Sequence, residues 1–406
     1  MKVLLLTNLF PSPNNNTAGI FITNRLKSAK EFGIECVPYA LLAKDSPLVR
    51  LIKKLLLKKP DSFISENYTI ENVQYKYIRT RRDIIDLSLM ALKFWSNMFS
   101  IRTCKNLEKI NALYNVNVIH AHGMYKYSPA GLIAMYLSEK YGIPFVITLH
   151  GSDINYDMPK KRKAYVKTLE KASKCIFVSN ALLQKAVSYG YSGQNAVVIP
   201  NGYDPEVFKS MDKETVRKDL GIHRNNSKYV GFVGNLEYVK RADKLPEIFK
   251  NIANNLPNVK FIVIGDGTLM ASMKEQLANL DVFFTGKLPQ RDVAKWMNAM
   301  DVMILPSRNE GFPTVVNEAQ ACGTCVIGSN NGGIPEAIGF EEYTVEDGDD
   351  FEKRMAKKVV EILKNGYDSE RLINKATNFT WDKIVEKEIE VYKEVIRCYC
   401  EKMRLP

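Results

Sequence analysis

The 406-residue chain has no apolar run approaching the roughly 18 to 20 residues of a membrane-spanning helix. That excludes a helical membrane anchor from the sequence given. Its opening, MKVLLLTNLFPSP, reaches four consecutive apolar residues before Thr7 and Asn8. It reads as a first β-strand rather than a signal peptide, and the chain is expected to be cytoplasmic. Paired cysteines are also missing. The seven cysteines are odd in number and scattered, so free thiols are expected and a disulfide framework is not. Cys322 and Cys325 form one C-x-x-C and Cys398 and Cys400 lie near the end, but a structural zinc needs two close pairs brought together. Cys322 falls at a helix end and Cys325 at a strand start, where small buried residues belong. No RNA- or DNA-binding motif accompanies the net charge of +12, so that excess is assigned to a phosphorylated substrate or acidic lipid and no nucleic-acid partner is expected.

What is present is an ordinary globular composition, 46% hydrophobic and 25% charged, with length for two domains. Apolar strands alternate with helical stretches in two halves, which argues two doubly wound parallel sheets. Two stretches of the first half bear on partners. The first is Ser46 to Lys59, the most basic in the chain. On a helix, Leu48, Leu51, Ile52, Leu55 and Leu56 share one face, and Arg50, Lys53, Lys54, Lys58 and Lys59 fall mainly on the other. Residues 48–59 suit an anionic membrane surface, and equally an ordinary surface helix packed by its apolar face. Arg79, Arg81 and Arg82 add charge nearby. The second is His120-Ala-His122-Gly123, ending a strand. The two imidazoles are expected on opposite faces with no acidic partner adjacent, so a structural role is favoured over a metal.

Pro306 to Glu336 reads as loop, helix, strand, loop and helix. Asp301 to Leu305 suits a buried strand ending at Pro306. Pro313 and Thr314 open a helix, with Thr314 able to cap, and Gly323 stops it. The N–H groups of Thr314, Val315 and Val316 are helix-start donors suited to phosphate. Glu310 lies before this helix and Glu318 one turn inside it. Two carboxylates beside a phosphate site either hold hydroxyls or are simply solvated charges. A ligand with phosphate in the middle and polyols at both ends, such as a nucleotide sugar, satisfies all three groups.

The E-x7-E spacing of Glu310 and Glu318, inside EGFPTVVNEAQACG and followed by GGIPE, resembles the signature of the retaining glycosyltransferases of family 4. Thr148-Leu-His-Gly-Ser-Asp153 resembles the family's T-x-H-G-x-D, and Pro200-Asn-Gly-Tyr-Asp204 its P-N-G-V-D at the domain junction. The resemblance covers essentially the whole chain. It implies the α/β GT-B fold, two Rossmann-like doubly wound parallel-sheet domains facing a central cleft. Residues 1–204 would be the acceptor-binding domain, joined by the C-terminal helix 381–406. Residues 205–227 would be the hinge, and 228–380 the nucleotide-sugar domain.

By the same resemblance the activity is retaining, metal-independent transfer of a sugar from a nucleoside diphosphate sugar to a glycan or lipid-linked acceptor. No cofactor is implied, and a peripheral place at the inner face of the cell membrane fits the acceptor. His150 would line the transferred sugar, Glu310 hold its hydroxyls and Lys240 its diphosphate. Gly19, Thr314 and Val315 would approach phosphate, Leu288 follow the segment that holds the nucleobase, and Glu318 take the ribose. Gly19 also reads as a helix-entry glycine, and Asp153 as a helix cap. The family's arginine is replaced here by Asn235, and the glycine after its lysine by Arg241. Arg241 is therefore placed with the donor-binding residues as a candidate replacement charge. Asp347-Gly-Asp349 is read as an acidic helix start, not a metal site. The alternative function, supported by Asn235, is a non-catalytic nucleotide-sugar or membrane-surface binding relative.

Overall fold

The computed structural model describes residues 1–11, 18–57, 67–70, 73–86, 97–125 and 129–404. The chain divides into two compact units, residues 1–200 with 384–406, and residues 201–383.

The first unit is built on an eight-stranded sheet in the order β3-β4-β2-β1-β5-β6-β7-β8. Its strands are β1 (Lys2–Thr7), β2 (Glu35–Asp45), β3 (Asn67–Ile70), β4 (Val73–Arg82), β5 (Val118–His122), β6 (Phe145–Leu149), β7 (Lys174–Phe177) and β8 (Ala196–Val198). All neighbours are parallel except β3, which pairs antiparallel with β4 at the edge. β5 and β6 are buried at every position, as expected of parallel strands covered on both faces. The β3–β4 hairpin is absent from the sequence expectations. Its signal was the alternation of Tyr75 and Tyr77 with Gln74 and Lys76 in a strand-like run. Residues 86–115 read in sequence as one long helix; in the structure a helix covers Asn97–Lys109, residues 110–115 form turns instead of continuing it, and 87–96 lie outside the described residues.

The second unit carries a six-stranded, all-parallel sheet in the order β11-β10-β9-β12-β13-β14. Its strands are β9 (Lys228–Val233), β10 (Val259–Ile264), β11 (Val282–Gly286), β12 (Val302–Leu305), β13 (Cys325–Ser329) and β14 (Thr344–Val345). The strand order reverses between β1 and β5 in the first sheet and between β9 and β12 in the second. In open α/β sheets, ligands bind beyond the carboxyl ends of strands at such a reversal.

The hinge expected over residues 205–227 is instead part of the second unit. It contains the Lys213–Asp219 helix, whose buried Arg217 donates to the Ala299 carbonyl (3.0 Å) and to Asp301 (2.8 Å). Its polar composition reads as a linker because these hydrogen-bond partners of Arg217 lie more than eighty residues away. The last helix, Trp381–Arg404, belongs to the first unit from Ile384 onward. There Val385 and Ile389 pack on Ala29 of the Ile20–Glu31 helix. All seven cysteines are unpaired.

Candidate active site

In the second unit the site is built at the β9/β12 reversal. β9 runs into Gly234-Asn235-Leu236 and a short helical turn, Tyr238–Lys240. β12 runs into the loop that carries Glu310. The two loops meet in an ion pair, Lys240 Nζ to Glu310 Oε1 at 2.5 Å, with the Glu310 side chain only 12% exposed. The glycine pair after β13 sets the Glu310 backbone. Gly332 has φ +55°, and a Cβ there would lie 2.7 Å from the Glu310 carbonyl oxygen. The neighbouring Gly333 N–H donates to that same oxygen at 3.0 Å. A side chain at Gly332 would push this loop away.

The next helix is Thr314–Ala321, as the sequence suggests, but Pro313 is the residue before it and no side chain caps it. Two expectations are corrected here. Val316 N–H is not free, since it donates to the Pro313 carbonyl at 3.1 Å, a tight first turn that leaves Thr314 and Val315 as the helix-start donors. Thr314 does not cap the helix; its hydroxyl is turned one helical turn ahead, to Glu318. Burial pushes the Glu318 carboxyl up to about 7, against that hydrogen bond from Thr314.

The remaining expected donor residues are placed as follows. Asn235 is exposed in the loop after β9, and Leu288 is partly buried after β11. Arg241 is not available as a replacement charge. Its guanidinium makes two hydrogen bonds to the carboxylate of Asp347, at 2.7 and 2.6 Å, and stacks on Phe351. Its backbone takes the left-handed conformation, φ +52°, which explains why a glycine suits this position. That pair leaves no local signal, because 106 residues separate its members. Asp347 is thereby held below the usual carboxylate range, chiefly by the Arg241 hydrogen bond. Asp347→Ala strands a buried guanidinium and is expected to cost about 2 kcal/mol of stability, read as a lowered Tm of the full chain. Sequence reasoning also missed Lys375. Its ammonium bonds Asn317 (2.7 Å), Gln320 (2.9 Å) and the Ala337 carbonyl, tying the Glu318 helix to the Ile334–Ile338 helix. Burial pushes Lys375 down to about 7.

In the first unit, Gly19 precedes the Ile20–Glu31 helix with φ +63°, and a Cβ would lie 2.6 Å from the Leu9 backbone. A steric demand for glycine is therefore present whatever its ligand. His150 follows β6. The Asp153 carboxylate accepts from the N–H groups of His150 (3.2 Å), Gly151 (2.9 Å) and Ile154 (3.0 Å), so it folds this loop rather than facing a ligand. Burial pushes Asp153 up to about 6, opposed by those bonds. The expectation that His120 and His122 point to opposite faces is wrong: residues two apart on a strand share a face. Their ring centroids are 4.2 Å apart. His122 Nδ1 lies 3.1 Å from His150 Nε2, and the rings are nearly parallel. His120 bonds Tyr392 (2.6 Å) and Thr148 (2.7 Å). Burial, with the nearby Arg25 charge adding to it, keeps all three imidazoles well below the ordinary histidine range and neutral. Among the described residues no group of three or more His, Cys, Asp and Glu is arranged to hold a metal ion.

Two family models match adjoining parts of the chain. Residues 73–207 match "Glycosyltransferase Family 4", and residues 212–379 match "Glycosyl transferases group 1". The chain belongs to the group 1 glycosyltransferases. Its two Rossmann-like sheets are those of the GT-B fold. Among relatives, a putative teichuronic acid biosynthesis glycosyltransferase of Bacillus subtilis is 29% identical over 358 residues, 84% of each chain. An Escherichia coli UDP-Gal:alpha-D-GlcNAc-diphosphoundecaprenol alpha-1,3-galactosyltransferase is 26% identical, over 84% of this chain and 96% of its own. Among solved structures, Anabaena HepE in complex with UDP and glucose superposes with a TM-score of 0.69 at 17% identity, over 97% of this glycosyltransferase and all of that chain.

Proposed function

We propose that this glycosyltransferase moves a sugar from a nucleoside diphosphate sugar to an acceptor hydroxyl, with retention and without a metal ion or cofactor. The observation that carries the reading is the Lys240–Glu310 pair at the β9/β12 reversal, in loops that also lead to the Thr314–Ala321 helix start and Glu318. The acceptor oxygen forms its bond to the anomeric carbon as the bond to the diphosphate breaks, on the same face. The bonding pair leaves with the phosphate, and the acceptor proton passes to the departing phosphate oxygen. In the second unit, Lys240 and the N–H groups of Thr314 and Val315 stabilise that oxygen's charge, Glu310 holds the sugar and Glu318 the ribose. For the first unit, the family resemblance implies phosphate approach for the Gly19 backbone and sugar contact for His150. The names of the Escherichia coli relative and the Anabaena structure support a uridine diphosphate sugar and a glycan or lipid-linked acceptor. The relatives' names support a place in polysaccharide or glycolipid assembly, and we read the product as a cell-surface polysaccharide, lipopolysaccharide or glycolipid.

The test is thermal shift with a panel of nucleoside diphosphates and their sugars. A matching donor raises Tm in wild type and not in Glu318→Ala. Glu318 accepts ribose hydroxyls as a carboxylate, so donor affinity falls as pH drops through about 7 and levels off above it. That dependence disappears in Glu318→Gln. A wild type that shifts with no donor supports the second reading, a non-catalytic relative, which the neutral Asn235 and the commitment of Arg241 to Asp347 favour.

The reading includes contact with an anionic membrane. In the Pro47–Leu57 helix, Val49 is buried, while Leu48, Leu51 and Leu55 are 55%, 53% and 71% exposed; the side chains of Lys53 and Leu56 lie outside the described ones. Arg50 and Lys54 are exposed beside them, and residues 58–59 lie outside the described ones. Arg81 and Arg82 contribute less free charge than expected, being paired with Asp83 and Asp45. Sedimentation with vesicles containing phosphatidylglycerol is expected to carry the protein down, and with phosphatidylcholine alone to leave it in solution. Leu51→Asp with Leu55→Asp is expected to cut vesicle binding at least tenfold by removing about two buried aliphatic side chains.

A further inference from the structure

The His122–His150 pair leaves two ring nitrogens buried and without a hydrogen-bond partner, His122 Nε2 and His150 Nδ1. Both rings are neutral, so the pair shares two protons among four nitrogens. One proton lies in the bond between the rings, and the other must sit on one of the two orphaned atoms. Two arrangements exist. If His122 Nδ1–H donates to His150 Nε2, the second proton is on His150 Nδ1 and His122 Nε2 bears a lone pair. If His150 Nε2–H donates instead, the second proton is on His122 Nε2 and His150 Nδ1 bears a lone pair. The tautomer of one ring therefore fixes the tautomer of the other.

A buried N–H with no acceptor is the costlier orphan. His122 ends β5 with its side chain wholly buried, whereas His150 lies in the loop after β6 and is only partly buried. A lone pair at His122 Nε2 suits that surrounding better than an N–H. The orphaned N–H then falls to His150 Nδ1, where a ligand oxygen can accept it. Behind this pair, Tyr392 and Thr148 bond both nitrogens of His120, whose ring packs on His122.

We propose that His122 is a positioning residue that holds His150 as the Nδ1–H tautomer, making His150 a neutral hydrogen-bond donor to a hydroxyl oxygen of the transferred sugar. This rests on the reading above that His150 meets that sugar. It adds that His150 is neither acid nor base in the reaction, and that the sugar must present an acceptor oxygen there.

The chain has four histidines, so a histidine-15N-labelled sample gives an assignable spectrum of all ring nitrogens. In wild type, His150 is expected to show a protonated Nδ1 and an unprotonated Nε2. In His122→Phe, which removes the donor, the His150 signals are expected to move to the other tautomer or to an average, and kcat to fall about tenfold, one hydrogen bond's worth. The KM for donor should change less than twofold. In His122→Asn, whose amide can donate to Nε2, the wild-type tautomer and much of kcat are expected to return. A wild-type His150 protonated at Nε2, or a tautomer unmoved in a folded His122→Phe or, should that variant not fold, in a His122→Asn compared with His122→Leu, overturns the proposal. His150→Ala separates the two ideas. If it keeps full activity while the spectra behave as expected, the sugar reading fails and the tautomer assignment stands.

Discussion

Lys240→Ala is expected to lower kcat/KM by about 10²–10³-fold, the size of effect seen when one group aimed at developing transition-state charge is removed. The family's second cation is absent at Asn235, and Arg241 is held by Asp347 on both of its carboxylate oxygens. Lys240 is thus the side-chain cation on which the proposed diphosphate site depends. Its removal also releases Glu310, now paired at 2.5 Å, to stand as an uncompensated carboxylate beside the phosphate. Both consequences raise the barrier. Lys240→Arg keeps the charge but loses the compact ammonium, and should fall between the two. Steady-state rates with the donor found by thermal shift measure this. A Lys240→Ala enzyme within threefold of wild type would remove the lysine from the mechanism.

Glu388→Ala is expected to destabilise the first unit by about 3 to 5 kcal/mol, because it leaves Arg25 without its carboxylate in the interior. The pair is 2.8 Å apart, and both side chains are only 2% exposed. It joins the Ile20–Glu31 helix to the last helix, alongside the Ala29, Val385 and Ile389 contact. A drop in Tm of about 10 °C follows for a unit of this size. Replacing both partners, Arg25→Met with Glu388→Met, should recover most of that loss, since well-packed apolar side chains serve as well as a buried pair. If the single and double variants melt alike, the pair is not what holds the helix. Arg25 also lies near the three buried histidines, so the double variant is expected to lift their depressed pKa values part of the way back.

Much of the second unit was legible in order along the chain. Asp301 to Leu305, the turn at Glu310, the helix from Thr314 and the glycines at 332 and 333 follow from apolar runs, a proline, and glycines where the backbone must turn tightly. These are local effects, with cause and consequence within a few residues. Two of the errors share a different origin. Residues 205–227 read as a linker because the hydrogen-bond partners of Arg217, Ala299 and Asp301, are remote in sequence. Arg241 read as a spare charge because Asp347 is remote. The opposite-face reading of His120 and His122 had no such excuse, since strand periodicity alone puts residues two apart on one side.

The strand–helix alternation, the family and the residues around which a donor site is expected are written locally in the chain, because backbone propensity and short motifs act over a few positions. Which charges are paired, and with what, is set by folding. Lys240 faces Glu310, Arg241 faces Asp347, Arg25 faces Glu388, and His122 faces His150. A charge or a ring nitrogen is defined by what it meets in space at about 3 Å. Each of these partners was brought there by the folding of segments far apart in the chain.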